Sequence, residues 1–146
     1  KISGHQNLHH IEIKSFLSKY KEHFNIAAKL GDYVFSHAGF SKTWVDRLQK
    51  INDSLDINDA EAVIDFCNRM YKAFVYYPFQ FNGIDCYGND KSQGPLWIRP
   101  SALMHDMAFK KQIVGHTEEY REYKNGEEEL LVVDSPNHDH YTIIEA

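Results

Sequence analysis

Cysteine is scarce in this chain. Cys67 and Cys86 are the only two in 146 residues, and neither has a CxxC neighbour. Thiol redox motifs and zinc knuckles of that spacing are therefore excluded. A reduced, cytoplasmic protein is expected, with a single Cys67–Cys86 disulfide as the open alternative. Long apolar runs are also missing. No stretch approaches the ~18 residues that a membrane span requires, and the start has no signal-peptide pattern. Lysine and arginine form no block or stripe, and the net charge is −5. That balance argues against a nucleic-acid surface or an anionic membrane as partner. Methionine does not occur before Met70, and the chain opens on Lys1, so a piece of a longer protein is expected. Repeats and low-complexity segments are absent.

What is present reads as one globular domain spanning residues 1–146. An apolar fraction of 42% beside 25% charged residues suits a soluble core and excludes disorder. From His10 to Phe24, apolar residues recur at helical spacing among lysines and glutamates, which predicts an amphipathic helix. Asn25 to Leu30 and Tyr33 to His37 read as strands joined at Gly31-Asp32. Ser41 is placed to cap a helix through Gln49, and Asn58-Asp59 to open another through Ala73. Asn82 to Pro95 reads as a loop, and Leu96 to Arg99 as a short extended run stopped by Pro100. Gln112 to Val114, Glu119 to Tyr123, Glu129 to Val133 and Tyr141 to Ile144 are strand-like, with Asn125-Gly126 as a hairpin signal. Helices lead and short strands follow, so the expected class is α/β (α+β), a mixed sheet with helices.

Two histidines end apolar strands beside glycine. One closes Tyr33-Val34-Phe35-Ser36-His37 and is followed by Ala38-Gly39; the other closes Gln112-Ile113-Val114-Gly115-His116 and is followed by Thr117. Side chains at strand ends point into the crevice where α/β sheets bind ligands. Between them lies Trp97-Ile98-Arg99. In this order, His-Ala-Gly, Trp-x-Arg and Gly-His-Thr resemble the C-terminal part of the calcineurin-like metallophosphoesterases. The branch in question holds bacterial and phage serine/threonine-type phosphatases and diadenosine tetraphosphatases. The resemblance covers roughly Asn7 to Ala146.

It implies the C-terminal half of an αββα sandwich, with His37 and His116 as ligands of the same one of two adjacent metals. It further implies that Arg99 grips a substrate phosphate. Imidazole suits Mn, Fe or Zn, and a planar guanidinium meets phosphate through two parallel hydrogen bonds. The substrate would be a phosphorylated protein or a nucleotide. The family's N-terminal DxH, GDxxDRG and GNHD motifs are not in this sequence, and Glu118 stands where other branches place a second histidine. Two imidazoles fill only half of the usual ~4 positions around a divalent ion. Weak metal binding and no phosphatase activity are therefore expected of the chain alone. A non-catalytic binding module that keeps the fold is the alternative.

Asp134 ends its strand level with the histidines, as a partner that orients one ring or as a turn residue. His138-Asp139-His140 reads as a solvated loop, His9-His10 as surface, and His105-Asp106 carries no assignment. The aromatic series Tyr71, Phe74, Tyr76, Tyr77, Phe79 and Phe81 reads as core, or as an exposed wall. An unpaired sheet edge makes a homodimer plausible.

Overall fold

Short strands and capped helices form where the sequence pattern places them, in a computed structural model that describes residues 10–79, 87–117, 119–134 and 142–144. Helix α1 spans His10–Tyr20 and runs into a 3-10 turn at Lys21–His23. The hairpin follows, β1 Ala27–Leu30 and β2 Tyr33–Ser36. Its turn uses Gly31 at φ 55, a conformation that costs glycine nothing. Helix α2, Lys42–Gln49, is capped by Ser41, whose hydroxyl accepts from the Trp44 N–H. Helix α3, Ala60–Lys72, is capped by Asp59. One-turn α4, Pro100–Leu103, precedes β3 Lys111–Val114, β4 Tyr120–Asn125 and β5 Glu128–Val133.

The five strands form one mixed sheet in the order β1-β2-β3-β5-β4. The outer pairs are antiparallel hairpins, whereas β2, β3 and β5 run parallel. This is the expected α+β class. Period-2 alternation divides the residues between two faces. Val34, Gln112, Val114, Leu130 and Val132 share one face by register and are all buried. Apart from Gln112, they belong to two apolar clusters completed by Trp44, Val45, Leu48, Val63 and Phe66 on one side and by Ile98, Ala102 and Leu103 on the other. The opposite face carries Ala28, Phe35, Ile113, Leu131 and Val133, and none of these belongs to either cluster. A groove of about 590 Å³ runs along this second face, lined by Ala28, Phe35, Ile113 and Val133, and reaches His37 and Gly115.

The two sheet edges, the route of the expected homodimer, are each partly blunted. At β1, the Asn68 carboxamide accepts from the Ala27 N–H and donates to its carbonyl, at 3.3 and 3.0 Å, as a neighbouring strand would. At β4, the edge carries Arg121, Glu122 and Lys124, with Lys124 paired to Glu122 at 2.6 Å. Both devices oppose edge-to-edge pairing.

Several expectations shift. Leu96 to Arg99 is not an extended run: the Gly94 carbonyl takes the N–H groups of both Trp97 and Ile98, which closes a turn. Pro100 starts α4 rather than stopping a strand, because the first helical position needs no N–H. Residues 142–144 lie in no strand, and Thr142 instead shares a hydrogen bond with the Tyr120 hydroxyl. The β4–β5 turn is Gly126-Glu127, one residue later than expected, since Asn125 pairs with Glu128. His9, Phe81, Cys86, Glu118 and 138–140 lie outside the described residues.

The aromatic series divides. Phe79 stacks on Trp44, with centroids 6.0 Å apart, and completes the core. Tyr71, Phe74 and Tyr76 surround the Lys21 ammonium, whose Nζ lies 2.8 Å from the Phe74 centroid and donates to the Tyr76 hydroxyl at 3.1 Å. Lys21 is buried there, which the ring quadrupoles and that hydrogen bond make tolerable. This cage ties the end of α1 to the end of α3. The apolar residues Ile11, Phe16 and Leu17 of α1 remain exposed.

Cys67 is buried with a free thiol. Burial pushes its pKa up to about 12. The unfolded chain gives up this proton at about pH 8.5, whereas the fold retains it, so stability falls as pH rises above that range toward 12. In a Cys86→Ser background, a thiol reagent at pH 9 should label the native protein only at the rate of unfolding. Labelling at the rate of a free thiol would contradict the buried assignment.

Candidate metal and phosphate site

Parallel pairing of β2 with β3 places the two histidines together. The register matches Ser36 with Val114, and the ladder continues one step further, from the Gly115 N–H to the His37 carbonyl at 2.9 Å. Both chains then leave the sheet at the same level. His37 Nε2 lies 2.8 Å from His116 Nδ1, and the ring centroids are 4.6 Å apart with planes at 67°. One nitrogen donates and the other accepts, so the pair shares a single proton.

Three features hold this geometry. Gly39 has φ +108, and a Cβ there would lie 2.1 Å from a Leu103 methyl. Only glycine lets the chain turn after His37 and still pack on α4. Gln112, fully buried in mid-strand, accepts from the Phe40 N–H at 2.8 Å and donates to the Phe40 carbonyl at 2.9 Å. It thus bolts the His-Ala-Gly turn to β3. At the second histidine the roles differ from the sequence expectation. Gly115 has ordinary room for a Cβ, and His116 itself is left-handed at φ 81. A bulky residue held in that region stores strain of order 1–3 kcal/mol and is found where surrounding structure imposes it, commonly at functional sites.

Arg99 and Asp134 lie in the same neighbourhood, since the charges of both act on the His116 ring. The Arg99 guanidinium is exposed and oriented from behind, its Nε donating to the Tyr87 carbonyl at 2.7 Å. The Arg99 N–H donates to the Gly88 carbonyl, and a side chain at Gly88 would meet the Arg99 Cγ and the Trp97 carbonyl, both at 2.7 Å. Asp134 is half-buried, its Cβ 3.8 Å from where a Gly115 Cβ would be. The Trp97 ring stands 5.5 Å from that of His116. Burial foremost, then His37 and Arg99, lower the His116 pKa; the Trp97 backbone and Asp134 oppose this. The ring therefore stays neutral, the form that ligates metals, to lower pH than a free imidazole. The fold has this contribution above about pH 6.5 and loses it as pH falls below, because the unfolded chain protonates first.

The nitrogen pair fits a cation in part. An ion about 2.0–2.1 Å from each nitrogen would set them about 3.3 Å apart, an opening of about half an ångström from the observed 2.8 Å. Ser36 Oγ and Thr117 Oγ1, each adjacent in sequence to one histidine, are buried without a hydrogen-bond partner among the described residues. Against this, no group of three His, Cys, Asp or Glu among the described residues could hold a metal. Among the described residues, the two imidazole nitrogens converge without a third such side chain beside them.

The other candidates do not join the site. His105 is exposed, and Asp106 instead supports α2, its carboxylate accepting from the Thr43 N–H at 2.9 Å. A cleft of about 610 Å³ elsewhere is lined by Lys110, Lys111 and Lys124 facing Asp32 and Glu127 to Glu129. Its three lysines are each in an ion pair, with Glu127, Asp32 and Glu129. Sequence reasoning missed Gln112, whose only signal is an amide amid an apolar strand, and the Tyr87-Gly88 clasp, which reads only as loop.

Gln112→Leu should cost about 1–3 kcal/mol in denaturant unfolding, because the Phe40 N–H loses its buried partner while the Phe40 carbonyl keeps the Ala108 N–H; a change below about 0.5 kcal/mol would contradict the bolt. His116→Gly should be more stable than His116→Ala by about 1 kcal/mol, since only glycine relaxes at positive φ. The opposite ranking would show that the turn stores no strain. Among family models, curated proteins and solved structures, none matches this chain, so the geometry and chemistry of the site carry the functional reading.

Proposed function

We propose that this chain carries one part of the active site of a metal-dependent phosphoesterase. In this reading His37 Nε2 and His116 Nδ1 are two ligands of one divalent cation, Mn, Fe or Zn, and Arg99 binds the substrate phosphate. The observation that carries it is the 2.8 Å approach of two imidazole nitrogens from residues 79 positions apart. A divalent ion would take the place of the proton they share, and that proton would move to the other nitrogen of its own ring. Such an ion polarises a phosphoryl oxygen and makes bound water a nucleophile near neutral pH.

The chain's own groups supply binding and orientation. Arg99, held at Nε by the Tyr87 carbonyl, keeps its terminal nitrogens for the phosphate oxygens and offers them in a fixed plane. Asp134 sets a negative charge beside His116, which favours the imidazole as a donor to a cation. The missing ligands have a natural approach. The groove on the second sheet face reaches His37 and Gly115, so a layer packed along it would bring its loops to the histidine pair. That arrangement corresponds to the sandwich the motifs resemble, with the DxH, GDxxDRG and GNHD ligands on the covering layer. Hydrolysis of phosphoproteins and of dinucleotide polyphosphates both fit this reading. Among the described residues no helix is long and apolar enough to cross a membrane.

With two ligands only, the chain alone should bind metal weakly and turn over no substrate. In histidine-selective NMR, Mn²⁺ should broaden the His37 and His116 resonances before those of the remaining histidines. Replacing either by alanine should weaken binding by about tenfold or more. Mn²⁺-dependent hydrolysis of p-nitrophenyl phosphate should stay at background. Uniform broadening of all histidines would overturn the metal assignment, and robust turnover abolished by His116→Ala would overturn the half-site.

A further inference from the structure

We propose that Trp97 is a stacking platform that makes this site select phosphoesters of planar aromatic or nucleoside alcohols over aliphatic ones. The inference rests on the phosphoesterase reading and goes beyond it to substrate class. The chain has two tryptophans, used in opposite ways. Trp44 is 3% exposed, packed on Phe40 and Phe79, with its indole N–H donated to the Pro78 carbonyl. Trp97 is 41% exposed. An indole could contribute more to stability inside the core than at the rim of a polar site.

Its position is fixed by the same hydrogen bonds that fix the phosphate-binding group. The Trp97 N–H donates to the Gly94 carbonyl at 3.0 Å, and two residues later the Arg99 N–H donates to the Gly88 carbonyl at 2.9 Å. No side chain fits at Gly88 to loosen this clasp. On its other side, the indole stands 5.5 Å from the His116 ring. Trp97 therefore stands beside the His116 ring and precedes the guanidinium in one pinned turn. A phosphate held between Arg99 and the histidines carries its organic substituent past the indole. Tyr87, 70% exposed, borders the same guanidinium through its carbonyl. An aryl ring or a nucleobase gains from stacking on an aromatic face, whereas a short alkyl chain offers no π-face. Any base or aryl ring can stack in this way, so the platform selects a class and reads no sequence.

The test compares four probes by NMR titration of the chain as it stands: phenyl phosphate, adenosine monophosphate, ethyl phosphate and inorganic phosphate. Phenyl phosphate and the nucleotide should bind about five- to tenfold tighter than ethyl phosphate. They should move the Trp97 indole signal and leave that of Trp44 in place. Trp97→Leu should reduce both aromatic affinities to the level of ethyl phosphate in the same variant, and Trp97→Phe should retain much of the preference. Equal affinities for the three esters in the unaltered chain, or an undiminished preference in Trp97→Leu, would overturn the platform. If no probe binds in an Arg99-dependent manner, inorganic phosphate included, the phosphoesterase reading fails and the platform with it.

Discussion

The backbone hydrogen bond from Gly115 to the His37 carbonyl is the interaction on which the site depends. It extends a parallel ladder one residue past the last regular pair, Ser36 and Val114. Two chain segments therefore leave the sheet side by side, each with an imidazole. A slip of one residue would send alternate side chains to the other face, removing Val114 from the core and separating the rings. The apolar face that fixes the register thus also fixes the distance between two nitrogens. Packing and chemistry are coupled through a single parameter of the sheet.

Around that ladder the molecule places its unusual features close together. A buried glutamine takes both backbone groups of Phe40, a glycine turns where no side chain fits, and a histidine adopts a left-handed backbone. Elsewhere the described fold has capped helices, apolar clusters on one sheet face and a second left-handed residue, Phe74 at φ 60, at the cage around Lys21. Of the two left-handed bulky residues, His116 is the one whose ring meets a second imidazole. The opposite sheet face, with its groove open toward the same pair, gives the site a direction from which a further layer can reach it.

Much of this was legible in the sequence because the signals are local. Ser41 and Asp59 cap their helices, Gly31 turns its hairpin, and strand alternation separates Val34 from Phe35. The proximity of His37 and His116 was an expectation from motif order and is a feature of the fold. The departures have one cause, namely that non-local partners decided the outcome. Leu96 to Arg99 has the composition of a strand, but the Gly94 carbonyl takes the Trp97 and Ile98 N–H groups and the Gly88 carbonyl takes that of Arg99, which closes it into a turn. Phe74 and Tyr76 read as core, yet they are recruited by the Lys21 ammonium, 55 residues before Tyr76. Gly115 looks like the flexible residue of its motif, and the strain falls instead on His116, because its ring must meet His37.

The most direct measurement is crystallographic, using anomalous scattering from zinc in crystals of this chain. The account predicts a metal peak bonded to both His37 Nε2 and His116 Nδ1, with the two nitrogens moved apart from their 2.8 Å separation to about 3.3 Å. Zinc found elsewhere, with the direct nitrogen–nitrogen hydrogen bond intact, would contradict it.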